Sequence, residues 1–357
     1  MRESLRRLAS DDAMAPRSCS GRVRVELLTG DHITIDVARK ASGGDLLDAI
    51  CDDLDILEKD YFGLLHVHRS DPRVWVDLKR RLSKTFRNEP WEVKMAVKFY
   101  PPEPSELNDE ASRYQLGLAI RRDLIECRLN CSTITYALLA SYVLQAELGD
   151  REGRVNVAVL TEHRAVPLQV ITPDLEDKID ELYRKHKGQT PAQAELNYLE
   201  NAKKLAMYGV ELHSVKDSED VEIELAVCAA GISVLRDGLV MNRFPWAKIL
   251  KISYNKRTYT LRLRSSEFDE FETHVSFKLA STRSSKRLWR CSVEHHMFFR
   301  YTTPFERAIK SKNPSPVPIR ATPVPVERVS GWPRLGARRV SCRRTLRQLR
   351  EPTLCVK

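Results

Sequence analysis

The sequence predicts an α+β protein of three consecutive lobes, and three observations carry that expectation. Apolar residues alternate with polar ones from residue 22 to near residue 100, recur with a 3.6-residue period between 109 and 208, and alternate again ahead of one last amphipathic helix. A chain of 357 residues has room for two or three domains at roughly 100–200 residues each. Its 42% hydrophobic content can bury a core in every one of them.

Residues 22–37 read RVRVELL, TGD and HITIDV, with Val23, Val25 and Leu27, then Ile33, Ile35 and Val37, alternating against polar neighbours. Period two on both sides of a turn predicts a hairpin with one buried face. GGDLLDAICDDLDI then sets Leu46, Leu47, Ile50 and Leu54 at helical spacing, and strands are expected at FGLLHVH, RVWVDL and WEVKMAVKFY. Hairpin, helix and further strands is the order of a ubiquitin-like lobe, assigned to residues 21–102. Proline cannot continue a central strand, so PPEP at 101–104 ends it.

Four stretches of helical period follow in a lobe spanning 103–208: SRYQLGLAIRRDLIE, STITYALLASYVLQAEL, PDLEDKIDELYRKH and PAQAELNYLENAKKLAMY. Ser132 and Asp174 are the expected caps, Pro191 suits a first turn, and Gly149, Gly188 and Gly209 suit helix ends. From 209 to 302 the strands VEIELAVCAA, GISVLRD, KILKISY, RTYTLRLR and THVSFKL precede the helix SSKRLWRCSVEHHMFFR. Strands closed by one C-terminal helix predict a pleckstrin-homology or phosphotyrosine-binding sandwich. Residues 1–20 are expected to be a flexible lead. Residues 303–357, aperiodic and rich in proline and arginine, are expected to form a disordered basic tail.

The net charge of +10 is localised: residues 303–357 hold 13 Lys and Arg against 3 Asp and Glu, so the rest of the chain is neutral. Such a tail could meet nucleic acid, acidic protein or an anionic membrane, or remain a solvated tail with no ligand. A neutral body argues against a nucleic-acid partner. No apolar run approaches the roughly 18 residues that cross a bilayer, and the N-terminus lacks a secretory apolar stretch, which predicts a cytosolic chain. The eight cysteines show no disulfide-framework spacing and are expected to be mostly buried thiols of a reducing compartment.

Longer words narrow the reading. ILEKDYFGL at 56–64, WVDLKR, VKFYPPEPSEL, LAMYGVELHSVKDSEDVEIELAVCAAGI, FPWAKILKISY and KRLWRCSVEHHMFFR occur in an order that resembles the FERM domain of the band 4.1 family. The likeness covers roughly residues 22–302. It implies a ubiquitin-like lobe, an acyl-CoA-binding-protein-like helical bundle and a PH/PTB-like lobe. It also implies a cytoskeletal adaptor at the cytoplasmic face of the plasma membrane and cell junctions. Its partners would be transmembrane-protein tails, phosphatidylinositol bisphosphate and membrane-associated scaffolds. The alternative is the non-catalytic FERM portion of a larger enzyme, such as a tyrosine phosphatase. The resemblance breaks between Asp150 and Thr172, where the family has an acidic, aromatic connector and this chain reads DREGRVNVAVLTEHRAVPLQVIT.

Candidate site residues follow from the resemblance. Lys79, Arg80, Arg81, Lys256, Arg257 and Lys286 are expected to hold a phosphoinositide head group between the first and third lobes. Tyr259, Thr260, Leu261, Arg262 and Leu263 are expected to border a peptide groove, opposite Leu288, Cys291 and His295 of the last helix. Taken singly, these residues read more readily as sandwich core and solvated surface charge. Ser341 in RRVS and Thr345 in RRT have the look of basophilic-kinase sites.

Catalytic chemistry finds no foothold in the sequence. A phosphatase loop needs Cys followed six residues later by Arg, so that guanidinium clamps phosphate beside the thiolate, and no cysteine here has it. P-loop, GxGxxG and HExxH motifs are also missing. Cys127 and Cys131, and the adjacent His295 and His296, lack a second pair at ligand spacing. No metal, cofactor or enzymatic activity is therefore expected.

Overall fold

The computed structural model describes residues 21–68, 74–264 and 273–299, and it divides into two compact units, one ending at Gly209 and one beginning at Val210.

In the first unit, β1 (Gly21–Glu26) and β2 (His32–Val37) form the expected hairpin, with Val23 opposite Ile35 and Val25 opposite Ile33. Helix α1 (Gly43–Asp53) begins in a capping box. Ser42 Oγ accepts from the Asp45 N–H, and the Asp45 carboxylate accepts from the Ser42 N–H at 2.7 Å. Leu46, Leu47 and Ile50 face the sheet and are buried. β3 (Phe62–His66), the short α2 (Leu82–Thr85) and β4 (Glu92–Val97) complete a sheet of order β2-β1-β4-β3, in which β1 and β4 run parallel. The strand expected at RVWVDL reduces to a single bridge between Leu65 and Trp75.

The helical lobe holds α3 (Glu110–Ile125), α4 (Thr133–Leu148), α5 (Val157–Glu162), α6 (Pro173–Lys185) and α7 (Pro191–Ala202). Helix α4 packs against α6 and α7 and buries residues on nearly all sides, from Tyr136 to Gln145. Asp109 caps α3 and also accepts from the Leu57 N–H at 2.9 Å. Arg122 Nη2 donates to the carbonyls of Leu27 and Leu28 at 2.8 and 3.0 Å. These contacts join the bundle to the ubiquitin-like lobe. The cap of α6 is Thr172, not Asp174, because Pro173 takes the first helical position and leaves Asp174 inside the first turn.

The segment from Asp150 to Thr172 is structured. Val155 and Leu160 are buried, whereas Val157 is exposed on α5. The buried Asp180 carboxylate of α6 accepts from Arg151 Nε at 2.5 Å, from Arg184 Nη2 at 2.6 Å and from the Val155 N–H at 3.4 Å. Burial alone would raise this carboxyl, but those hydrogen bonds, Arg151 foremost, outweigh it and hold it below the usual range.

The second unit is an antiparallel sandwich. β5 (Glu211–Lys216), β6 (Glu222–Cys228), β7 (Gly231–Arg236), β8 (Leu239–Pro245), β9 (Ile249–Asn255), β10 (Thr258–Leu263) and β11 (Thr273–Lys278) lie in the order β8-β7-β6-β5-β11-β10-β9. Helix α8 (Thr282–Phe299) covers one opening. Its buried positions Ser285, Leu288, Cys291, Ser292 and His295 form one stripe at helical spacing. That stripe meets a core containing Leu225, Ile232, Tyr259, Leu261 and Phe277. The thiols are less uniformly buried than expected: Cys51 and Cys291 are buried, Cys131 and Cys228 intermediate, and Cys127 exposed.

Candidate docking surfaces

The peptide groove expected along 259–263 is not where the sheet is open. β10 is flanked on both sides, with Tyr259 opposite Phe277 of β11 and opposite Tyr254 of β9. An added strand needs an unpaired edge, so none can enter here. Tyr259 and Leu261 are fully buried, and the Tyr259 hydroxyl donates to Ser292 Oγ at 2.8 Å. Burial pushes that phenol far above its ordinary value. Leu288, Cys291 and His295 point inward from α8 and belong to the packed interior. Thr260 is half-buried and its Oγ1 lies 3.0 Å from Ser276 Oγ on β11. Arg262 and Leu263 are half-buried, and Leu263 packs against the core.

Among the described residues the sheet ends in two edge strands, β8 and β9, and β9 is the one beside α8. Among the described residues it pairs only with β10, and α8 packs against it. Trp289 of α8 donates its Nε1–H to the Ile252 carbonyl at 3.2 Å, and its ring centroid lies 5.6 Å from that of Tyr254. A residue in an antiparallel strand sends its N–H and C=O to the same side. The Trp289 bond therefore shows that residues 252 and 254, which lie clear of the ladder's register shift, turn their backbone groups away from β10. Leu250 is 45% exposed on this rim, so a strand wall and a helix wall meet at a surface open to solvent. KILKISY was legible as a strand, but its edge position depends on how distant segments pair.

The basic residues are solvent-exposed, as expected of anion ligands and equally of ordinary surface charge. Lys79, Arg80 and Arg81 lead into α2, and Lys84 and Arg87, which sequence reasoning passed over, lie just beyond them. Arg80 Nη2 donates to the Lys84 carbonyl at 3.1 Å. In the second unit Lys256 and Arg257 form the β9–β10 turn, Lys256 with a φ of +51°, and Lys286 is exposed on α8. Arg257 also borders an open cleft of about 880 Å³ containing Asp220, Glu222, Glu224 and Asp237. Lys278 Nζ is bonded to Asp220 there at 2.9 Å. That cleft is thus mixed in charge. Ser341 and Thr345 lie outside the described residues.

Residues 25–88 match the FERM N-terminal domain, 102–213 the FERM central domain and 217–307 the FERM C-terminal PH-like domain. The Protein 4.1 homolog of Drosophila melanogaster is 51% identical over 291 residues, which is 81% of this chain and 17% of that protein. The chain belongs to the FERM-domain proteins of the band 4.1 family. Human Band 4.1-like protein 3 is 46% identical over 282 residues, 79% of this chain and 26% of the relative. Human Protein 4.1 is 44% identical over 281 residues, 78% of this chain and 32% of the relative. This FERM chain therefore spans less than a third of each of these relatives. Among solved structures, the FERM and C-terminal domain complex of Drosophila Merlin superposes with a TM-score of 0.70 at 22% identity, covering 82% of this chain and 98% of that one. The human Myosin 7b MyTH4-FERM domain, in complex with harmonin-a PDZ3, gives 0.55 at 14% identity over 77% of this chain and 60% of that one. At those identities the likeness shows the FERM fold alone.

Proposed function

We propose that this FERM chain is a non-enzymatic adaptor. It ties cytoplasmic tails of transmembrane proteins, phosphoinositide lipid and membrane-associated scaffolds to the cortical cytoskeleton, at the cytoplasmic face of the plasma membrane and at cell junctions. The observation that carries this reading is the open edge of β9 beside α8. Edge backbone groups bind an extended tail whatever its sequence, and the adjoining helix supplies side-chain selection. Membership of the band 4.1 family supports the same reading. Phosphoinositide is assigned to Lys79, Arg80, Arg81, Lys256, Arg257 and Lys286 because each presents its charge to solvent. The test is affinity capture from detergent-solubilised cortical membrane, with the full chain as bait. Integral membrane proteins whose cytoplasmic tails bind directly to the purified chain are the expected result. A capture containing none of them would overturn it.

A further inference from the structure

Where the start of β5 meets the middle of α8, four polar side chains converge in the interior of the third lobe. Glu211 and His213 are two residues apart on β5 and so share a face. Cys291 and His295 are four apart on α8 and share another. His213, Cys291 and His295 are 3%, 5% and 3% exposed. One ligand atom each from Glu211, His213 and Cys291 lie within 4.8 Å of one another. Ligand bonds of about 2.0–2.3 Å in a tetrahedral zinc site place donors about 3.5 Å apart, so small rotamer adjustments suffice to close this set around an ion.

Two of the four side chains, Glu211 and His213, each carry a buried atom without a well-formed hydrogen bond. These atoms, Glu211 Oε1 and His213 Nε2, are 3.2 Å apart. Buried polar atoms left in this state are costly and call for a partner. Beside them, His295 Nδ1 lies 3.0 Å from the Cys291 carbonyl and 3.6 Å from Cys291 Sγ. A ring N–H in that position steadies a thiolate, as outer-shell groups do at metal centres.

We propose that Glu211, His213 and Cys291 form a site for a divalent metal of zinc type, with His295 as the supporting group. One sulfur, one imidazole nitrogen and one carboxylate oxygen suit Zn²⁺ and disfavour Mg²⁺ or Ca²⁺, which prefer oxygen ligands alone. The ion would clamp α8 to β5. Sequence spacing could not reveal the site, because two of its ligands lie on the first strand of the lobe and the third on its last helix.

Cobalt(II) is the probe. The purified full chain, stripped with a chelator and titrated with Co²⁺, is expected to show a thiolate-to-metal charge-transfer band saturating at one equivalent, displaced by Zn²⁺. A variant with Cys19, Cys127, Cys131, Cys228, Cys342 and Cys355 all changed to Ser should keep the band, and His213→Gln should weaken binding at least tenfold. Cys291→Ser should abolish the band; since this residue is in the core, the six-cysteine variant decides if that protein fails to fold. Absence of the band in the unmodified chain, or its loss in the six-cysteine variant at an unchanged thermal midpoint, would overturn the proposal.

Discussion

Gly231 opens β7 at a φ of +151°, and a Cβ there would stand 2.2 Å from the Phe244 carbonyl oxygen of the neighbouring strand. Neither the backbone angle nor the backbone neighbour can yield cheaply. Gly231→Ala is therefore expected to destabilise the third lobe by about 1–3 kcal/mol in denaturant unfolding; an unchanged midpoint would refute this reading of the turn. Asp180 is the corresponding single residue of the helical lobe. Asp180→Asn removes the charge that Arg151 and Arg184 share and should cost about 1–3 kcal/mol near pH 7. A carboxyl depressed in the folded state contributes in full above its unfolded value and loses that contribution as pH falls through its folded one. The gap between wild type and variant should accordingly hold near neutrality and shrink below about pH 4. A gap independent of pH would show that the ion pair is not its source.

At the scale of elements, Asp180 secures the whole stretch from Asp150 to Thr172. Limited trypsin digestion should leave Arg151 and Arg154 uncut in wild type and expose them in Asp180→Asn; equal cleavage in both proteins would count against that anchor. This stretch also shows where sequence reasoning reaches its limit. RVNVAVLT alternates like a strand, with Val155, Val157 and Val159 in step, yet it forms α5 because Val155 and Leu160 are the residues that find a core. Where one period is sustained, as in the β1–β2 hairpin or in α6, local pattern and tertiary burial agree and the element was legible. RVWVDL alternates too, but only Trp75 finds a bridging partner. The candidate groove failed for a different reason. Tyr259 and Leu261 read correctly as strand, but whether a strand is central or at the edge depends on the path of the chain beyond it. The basic residues were identifiable as charges, and each is solvent-exposed.

For the molecule as a whole, charge separates two modes of membrane attraction. The excess of +10 lies in residues 303–357, and such a tail would favour any anionic surface. Head-group binding at Lys79 and Arg81 would instead prefer bisphosphorylated phosphoinositide over phosphatidylserine at equal vesicle charge. Each basic residue near the surface contributes on the order of 1 kcal/mol, so Lys79→Glu with Arg81→Glu should cost roughly 2 kcal/mol, about thirtyfold, on phosphoinositide vesicles. The same loss on both vesicle types would assign the effect to diffuse charge. The adaptor reading itself rests on the edge of β9, and Tyr254→Pro tests it most directly. That substitution removes one outward backbone donor and leaves the β9–β10 ladder intact. Calorimetric titration of a captured receptor tail should show binding weakened about tenfold in a protein that still unfolds cooperatively. Undiminished affinity in the folded Tyr254→Pro protein would contradict docking at this edge.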